Sequence, residues 1–386
     1  MKLRPEVLGV RESPMVQIAT VAESMPGSVK LCYGESDMVT PDFICRAADD
    51  AMRAGHTFYT HTAGSLDLRQ AIARKVLELQ SVEYRPSEIM ATVGATAAIF
   101  TAIRASVGPG DNAIVVTPAY AIFSNAVIMA GSEPRAVSLE REGSRFRLDI
   151  DRVRRAIDRN TRMLIVNSPS NPTGWLMSTA EQTALAELAA EHELVILADE
   201  VYERLVYEGT IAPSFARVMP DKDYLIVVNS FSKNYNMTGW RLGWAQSSES
   251  VIRAMYKAAE FITSNPAAMV QQAGIVALRD GESYLRDLRS HYGHRRAQVK
   301  AALAMIPGID VAEPEGAFYV FFRVAGLDDS TAFTSSLVQE TGLALTPGVA
   351  FGPAGEGYVR LCFAASEPTV TEALRRFAEF MAKRAS

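Results

Sequence analysis

The chain has 386 residues, of which 48% are hydrophobic and 22% are charged, and its 39 basic and 44 acidic side chains give a net charge of −5. A chain of this length has room for two domains and a large core, and the composition is ordinary for a globular protein. The acidic balance argues against nucleic acid as the main partner.

The cysteines and the N-terminus indicate the compartment. Cys32, Cys45 and Cys362 are scattered and match no metal or redox spacing, so free thiols and no metal centre are expected. The N-terminal residues lack the continuous apolar stretch of a signal peptide, and no apolar run is long enough to cross a bilayer. The sequence therefore predicts a cytoplasmic protein without a membrane partner.

Short apolar runs alternate with helical periodicities along most of the chain. Residues 1 to about 40 are punctuated by prolines and are interpreted as irregular. The predicted strands are 89–93, 113–117, 163–167, 194–198, 225–229, 317–323 and 358–363. Helices are predicted between them, including one long helical region from Pro266 to about Ala304. This order favours an α/β fold with a largely parallel sheet covered by helices on both faces.

A lysine follows the strand 225–229, at the edge where open α/β sheets bind their ligands. Ser230 and Ser232 come three residues and one residue before Lys233, and Arg241 follows it near two glycines. A primary amine, hydroxyl groups and a guanidinium in this arrangement suit an aldehyde cofactor that also carries a phosphate.

Five further residues have a functional and a purely structural interpretation. Gly94 opens a helix whose free N–H groups suit an anion, although such a turn is common by itself. Asp199 ends an apolar strand and fits a helix cap, and Tyr202 fits a core tyrosine. Asn171, in Asn-Pro-Thr-Gly, fits a turn. Arg360 alternates with apolar residues on a strand, where an outward-facing side chain is the simplest interpretation.

The run 230–243, SFSKNYNMTGWRLG, resembles the lysine signature of class I/II aminotransferases, the pyridoxal-phosphate enzymes of fold type I. Every constrained position of that signature is met, and matching residues continue in the family's order from Gly34 to Arg360. The resemblance, which is aspartate aminotransferase-like, implies a large domain with a mainly parallel sheet between helices and a smaller α/β domain. The implied division is an N-terminal arm with part of the small domain, the large cofactor-binding domain and the small C-terminal domain, at residues 1–45, 46–285 and 286–386.

The resemblance also implies roles around Lys233. Its amine would form a Schiff base with pyridoxal 5′-phosphate, Asp199 would keep the pyridine nitrogen protonated, and Tyr202 would donate to the phenolate oxygen of the ring. These three residues are expected to be catalytic. The other expected cofactor-binding residues are Ala95, Thr96, Ser230 and Arg241 at the phosphate, Gly94 and Ser232, Tyr120 on the ring face, and Asn171 at the ring oxygen.

Substrate and partner contacts are implied in the same way. Gly34, Asn171 and Arg360 are expected to bind substrate, with the arginine forked onto the α-carboxylate and the glycine beneath the substrate. Tyr59 aligns with a tyrosine that reaches the phosphate of the neighbouring subunit, which implies a homodimer with shared active sites.

The implied reaction moves an amino group from an L-amino acid to a 2-oxo acid. Lyase or cyclase chemistry on the same site is one alternative, because the substrate carbanion is common to these reactions, and a ligand-sensing regulatory protein is another. Thr96 and Asn265 stand where relatives place a cation for an acidic side chain, so a neutral or bulky amino acid is expected to be preferred over aspartate and glutamate. A cationic donor is a further alternative, since Glu35, Asp37 or His61 can lie near the entrance.

Overall fold

The computed structural model describes residues 3–10 and 12–385. The helices are α1 Pro5–Leu8, α2 Pro14–Glu23, α3 Asp42–Arg53, α4 Leu66–Gln80, α5 Gly94–Ser106, α6 Ile122–Met129, α7 Ile150–Ala156, α8 Thr179–Glu191, α9 Phe231–Asn234, α10 Glu249–Glu260, α11 Ala268–Asp280, α12 Glu282–Ala304, α13 Ser330–Thr341 and α14 Glu367–Ala385. The strands are β1 Val29–Lys30, β2 Ile89–Thr92, β3 Asn112–Thr117, β4 Glu133–Ser138, β5 Glu140–Glu142, β6 Arg145–Arg147, β7 Thr161–Asn167, β8 Val195–Asp199, β9 Leu225–Ser230, β10 Gly243–Gln246, β11 Ile309–Val311, β12 Tyr319–Val324, β13 Leu343–Ala344, β14 Thr346–Pro347 and β15 Tyr358–Cys362.

The largest sheet in the described chain has the strand order β2-β10-β9-β8-β7-β3-β4. Strands β9, β8, β7, β3 and β4 pair in parallel, whereas β10 is antiparallel to both of its neighbours. Because β7, β8 and β9 run in the same direction, their last residues, Asn167, Asp199 and Ser230, come to the same edge of the sheet. This topology brings side chains from distant parts of the sequence together.

Alternate residues of each central strand enter different hydrophobic cores. Leu197 and Val228 pack on one face with α5, α6 and α10, and Ile196 and Val227 pack on the other with α3, α4, α8 and α11. The strands are therefore apolar on both faces, which accounts for the uninterrupted apolar runs in the sequence.

The C-terminal part forms a second, antiparallel sheet with the order β11-β12-β15-β14. Strand β1 pairs in parallel with β13, so the segment that follows α2 joins this C-terminal part. A separate core lies beneath the sheet and contains Phe318, Phe322, Leu361 and Phe377. The predicted α/β arrangement of a mainly parallel sheet between helices is confirmed.

One local prediction was wrong. The first 40 residues are not irregular, because α1 and α2 each begin at a proline, which the first turn of a helix accommodates. The predicted helical region after Pro266 is confirmed and consists of two helices, because α11 ends at Asp280 and α12 begins at Glu282. Gly281 joins them, and a Cβ at this residue would lie 2.4 Å from the carbonyl oxygen of Ala277. Strand β10 and the β5–β6 hairpin were not predicted at all.

Candidate active site

A cavity of about 510 Å³ lies at the carboxyl ends of β7, β8 and β9, beneath the second sheet. The predicted residues that line it are Gly34, Ala95, Thr96, Tyr120, Asn171, Asp199, Tyr202, Ser230, Ser232, Lys233, Arg241 and Arg360. Two predicted residues do not line it: Gly94 lies directly behind Arg241, and Tyr59 lies on the surface. The fold thus places twelve candidates, drawn from seven separate stretches of the sequence, around one space.

Lys233 lies on the short helix α9, directly after β9. Ser230 caps this helix, since its hydroxyl accepts the backbone N–H of Ser232 at 3.0 Å. The Nζ of Lys233 donates to the carbonyl oxygen of Gly34 at 2.5 Å. Burial lowers the pKa of the Lys233 amine to about 8, because the charged form loses hydration. A large share of the amine is therefore neutral, and nucleophilic, near pH 8.

Asp199 ends β8 and is 6% exposed. One carboxylate oxygen accepts the backbone N–H of Val201 at 3.2 Å, and among the described residues the side chain forms no ion pair. Burial raises the pKa of the Asp199 carboxyl from 3.8 to about 7, an effect that the nearby charge of Lys233 only partly opposes. A buried acid without a cation suits a cationic group on a ligand.

Arg360 is 1% exposed, so the outward-facing interpretation of this residue is wrong. Its Nη1 donates to Oδ1 of Asn171 at 2.8 Å, and its Nη2 donates to the carbonyl oxygen of Cys32 and to the hydroxyl of Thr346. Nε is buried without a hydrogen-bond partner, and no carboxylate of the described chain pairs with this guanidinium. A buried positive charge is costly to leave uncompensated, so the site fits an incoming carboxylate.

An anion cradle lies where α5 begins. The backbone of Gly94 has φ +75°, and a Cβ there would lie 2.3 Å from Nη2 of Arg241. A Cβ on Gly243 would lie 2.7 Å from the backbone nitrogen of Ala95. Both positions therefore need glycine so that the guanidinium and the helix N-terminus can approach each other. Thr96 and Ser230, which both carry hydroxyls, also line the cavity. Cation, hydroxyls and free N–H groups suit a phosphate.

Asn167 and Tyr319 are among the lining residues that sequence reasoning missed. Asn167 links the strand ends, because its Oδ1 accepts the N–H of Asn171 at 2.8 Å and its Nδ2 donates to the carbonyl oxygen of Asp199 at 3.1 Å. The hydroxyl of Tyr319 lies 2.7 Å from that of Tyr202. A polar residue at the end of a buried strand was the available signal for Asn167. For Tyr319 the sequence offered no such signal, because the pairing of Phe321, two residues further on, with Arg360 is visible only in the structure.

These observations define a class of protein: an α/β enzyme whose reactive lysine, buried acid, buried arginine and phosphate cradle suit an anionic aldehyde cofactor and a carboxylate substrate. The chain matches the family model for aminotransferase class I and II over residues 26–377.

Individual proteins similar to this chain are also aminotransferases. An aspartate aminotransferase of Bacillus subtilis (strain 168) is 34% identical, with 99% of this chain and 100% of the relative covered. Aromatic-amino-acid aminotransferase 2 of Thermococcus litoralis is also 34% identical, with 97% of both chains covered. The solved structure of N-succinyldiaminopimelate aminotransferase from Mycobacterium tuberculosis has a TM-score of 0.94 at 33% identity, covering 98% of this chain and 100% of that one.

The chain belongs to the class I and II aminotransferases. It is a fold type I enzyme that depends on pyridoxal phosphate and transfers an amino group between amino acids and 2-oxo acids. The predicted family, fold class, cofactor and reaction type are confirmed, and transamination rather than lyase chemistry or ligand sensing is the function that the relatives support. Within the described residues, no helix is both long and apolar enough to cross a membrane.

Proposed function

We propose that Lys233 binds the cofactor covalently and that Asp199 and Tyr202 assist it directly. The observation that carries this assignment is that the Lys233 amine, the Asp199 carboxyl and the Arg360 guanidinium face one cavity, and that none of the three forms an ion pair within the described chain. Bound pyridoxal phosphate supplies an electron sink that stabilises negative charge at the substrate Cα. The surrounding residues hold the reactants and move protons.

Each residue has a defined task in this proposal. Lys233, once its amine is free, takes the proton from the substrate Cα and returns one, a task that its lowered pKa suits. Asp199 keeps the ring nitrogen protonated, and Tyr202 donates to the phenolate oxygen. Asn171 bonds the ring oxygen while its own Oδ1 steadies Arg360, which grips the substrate α-carboxylate.

The remaining candidates position the cofactor and substrate. Tyr120 covers the ring face, and Gly34 leaves room for the substrate. The proposed phosphate contacts are Ala95, Thr96, Ser230, Ser232 and Arg241, and Gly94 completes the cofactor site by letting Arg241 approach the start of α5.

Replacing Asp199 with asparagine is expected to lower kcat by roughly ten- to a hundredfold or more, the value of one charged hydrogen bond.

The Asp199→Asn substitution is also expected to stabilise the cofactor-free protein at pH 8. Between pH 3.8 and about 7, folded Asp199 holds a proton that the unfolded chain has lost, so stability falls as the pH rises through this window and stays low above it. The thermal midpoint of the variant should exceed that of the wild type by about a few degrees at pH 8, and the difference should disappear near pH 4.

Glu200→Gln is the matched control for Asp199→Asn. Glu200 is also buried, burial raises its pKa to about 8, and its carboxylate accepts the N–H of Phe215 at 3.0 Å, away from the cavity. It should change the pH dependence of stability in the same direction and leave kcat unchanged. Near-wild-type turnover of Asp199→Asn would mean that Asp199 is only a structural acid.

We also propose a homodimer with shared active sites. Tyr59 is 92% exposed and Phe58 is 82% exposed, and Phe261 is exposed nearby at the end of α10. The loop that carries Tyr59 is held next to α10, because the rings of His61 and Tyr256 meet edge to face at 5.6 Å. Exposed aromatic residues in a cluster are typical of protein interfaces. A second subunit on this surface would place Tyr59 at the partner's phosphate.

Mixing two weakly active variants is expected to restore activity if sites are shared. A Tyr59→Phe chain paired with a Lys233→Ala chain forms one site that lacks both groups and one that lacks neither. With random exchange the mixture should reach about a quarter of wild-type activity, since half of the dimers are mixed and each has one intact site. Activity that stays at the sum of the separate variants, although mass spectrometry proves subunit exchange, would count against shared sites.

A neutral or bulky amino acid is the proposed donor. The described cations that line the cavity are Lys233, Arg241 and Arg360, and each has a task already. Glu35 adds a negative charge at the exposed mouth, so an acidic side chain would enter without a partner. The relatives include aspartate and aromatic-amino-acid aminotransferases, so membership of the family does not decide the donor.

In a panel of amino acid donors, aspartate is expected to have a low kcat/KM. At a fixed 2-oxo acid, kcat/KM for leucine, phenylalanine or methionine should exceed that for aspartate by roughly tenfold or more, about 1.4 kcal/mol of transition-state preference. In the absence of the 2-oxo acid acceptor, each accepted donor should release one equivalent of its own 2-oxo acid per site without ammonia, which separates transamination from lyase chemistry. Arginine belongs in the panel, because Glu35 favours a cationic side chain. Aspartate leading the series would refute this assignment of the pocket.

The compartment and the domain division are also proposals. A reducing cytoplasm is supported by three cysteines that form no disulfide in the described chain. The division at residues 1–45, 46–285 and 286–386 is supported by the two sheets and by the pairing of β1 with β13. Helix α12 begins at Glu282 and crosses the second boundary, so it would connect the two domains.

A further inference from the structure

Tyr319 is a buried residue of the cavity wall, and none of the roles proposed above involves it. It lies on β12, and its hydroxyl is 2.7 Å from the hydroxyl of Tyr202. The two rings meet edge to face, with centroids 5.8 Å apart at an interplanar angle of 84°. Both side chains are buried, so this bond is protected from exchange with water.

Proton counting fixes the direction of this bond when the cofactor is present. A phenol has one proton to donate. Tyr202 uses its proton for the cofactor's phenolate oxygen, so it can only accept from Tyr319. Burial holds the pKa of both hydroxyls above the ordinary value for tyrosine, so both keep their protons over the working pH range. The hydrogen bonds then run in one direction, from Tyr319 to Tyr202 to the cofactor, and each strengthens the next.

Tyr319 also contacts the groups that handle the substrate. The guanidinium carbon of Arg360 lies 4.6 Å from the centroid of the Tyr319 ring, in the geometry of a cation–π contact. A Cβ on Gly34 would lie 2.4 Å from the Tyr319 hydroxyl, so a larger residue there would displace it. The carbonyl of Gly34 in turn accepts the amine of Lys233. One side chain thus connects the cofactor side of the cavity to its carboxylate side.

We propose that Tyr319 is a positioning residue for transamination, whose hydroxyl strengthens the Tyr202 donor and whose ring supports Arg360. Because the role of Tyr202 is part of the proposed function, the role of Tyr319 rests on that proposal. A phenolate oxygen that receives a weaker hydrogen bond favours the protonated form of the bound cofactor, so loss of the Tyr319 hydroxyl makes that form persist to higher pH.

A pH titration of the absorbance of the holoenzyme tests whether the Tyr319 hydroxyl strengthens the hydrogen bond from Tyr202. Tyr319→Phe should raise the pH midpoint between the protonated and deprotonated forms of the bound cofactor by roughly 0.4–1 pH unit. This shift is the equivalent of one neutral hydrogen bond. In a Tyr202→Phe background the same substitution should shift the midpoint by close to zero, because its effect passes through Tyr202. An unchanged midpoint in the single variant, or an equal shift in both backgrounds, overturns the proposal.

Tyr207→Phe is the matched control for the hydroxyl. Its hydroxyl donates to the carbonyl of Ala317 at 2.5 Å, two residues before Tyr319, and it does not line the cavity. This control should lower thermal stability and leave the midpoint where it is in the wild type. A shift as large as that of Tyr319→Phe would show a general packing effect and overturn the proposal.

Steady-state kinetics test whether the Tyr319 ring supports Arg360. Tyr319→Phe keeps the ring above Arg360, so KM should stay within about twofold while kcat falls by roughly two- to tenfold. Tyr319→Leu removes the ring and should also raise KM by roughly two- to thirtyfold. A KM that is unchanged in Tyr319→Leu overturns the role of the ring.

Borohydride reduction of the Tyr319→Phe holoenzyme separates failure of this role from failure of the proposed function. Label on Lys233 with an unchanged midpoint refutes only the role of Tyr319. Label on another lysine refutes the site assignment and, with it, the role of Tyr319.

Discussion

Replacing Lys233 with alanine is expected to abolish covalent cofactor binding and to lower kcat by about 10²–10⁴-fold or more, the usual contribution of a positioned acid–base group. The amine is the only described lysine nitrogen that lines the cavity, and its pKa of about 8 suits both attack on an aldehyde and proton transfer. Borohydride reduction followed by peptide mapping should find the cofactor on Lys233 in the wild type and nowhere in the variant.

Lys257→Ala is the control for this experiment. Lys257 is exposed on α10 and lies outside the cavity, so its loss should leave both labelling and turnover unchanged. Label on Lys257, or on Lys222, whose amine is bonded to the carbonyl of Glu83 at 2.8 Å, would contradict the assignment.

Replacing Arg360 with lysine is expected to lower kcat/KM by roughly 30- to several-thousandfold. Truncating a buried, hydrogen-bonded charged group costs about 2–5 kcal/mol, and a lysine ammonium cannot reproduce the planar fork that holds a carboxylate. Bonds to Asn171 and Thr346 orient the fork in the wild type and would be lost with it. The loss should be similar for the amino acid and the 2-oxo acid, because both carry the carboxylate.

A substrate-side comparison separates recognition from structural damage. The wild type should strongly prefer phenylalanine to phenethylamine, which lacks the carboxylate, and Arg360→Lys should bring this ratio close to one. Arg323→Lys, at the exposed residue near the end of β12, should leave the ratio unchanged. If both substrates lost the same factor in Arg360→Lys, the arginine would have a structural role only.

The parallel sheet could be predicted because its strands are apolar on both faces. Strand β9 is buried over its whole length, and its uninterrupted apolar run gave a clear boundary just before Lys233. Strand β10 has four residues, begins with Gly243 and ends with Gln246, so neither period nor propensity indicated it. Pro5 and Pro14 were interpreted as breaks in the chain, although each is the first residue of a helix.

Site residues that lie within one sequence motif could be predicted together. Contacts that depend on the tertiary packing of distant elements could not. Lys233, Ser230 and Arg241 lie within one short signature, so their proximity followed from sequence distance. Tyr319 was missed because its contact with Tyr202 depends on how β12 packs against the segment that follows β8, which no pattern within a single strand reveals. The alternation of apolar residues around Arg360 indicated an outward side chain, but the second sheet is covered on both faces.

The bonds that close the cavity join residues far apart in the sequence. The amine of Lys233 reaches a carbonyl 199 positions away, and Arg360 reaches Asn171 and Cys32 at separations of 189 and 328 positions. We expect contacts of this range to form late, because the closure of long loops must be completed before they can form. During synthesis the reactive lysine is made long before the arginine that completes its site exists. Substrate binding therefore needs the C-terminal sheet, and a chain truncated before Arg360, however much of the central sheet it forms, lacks the guanidinium proposed to hold the substrate.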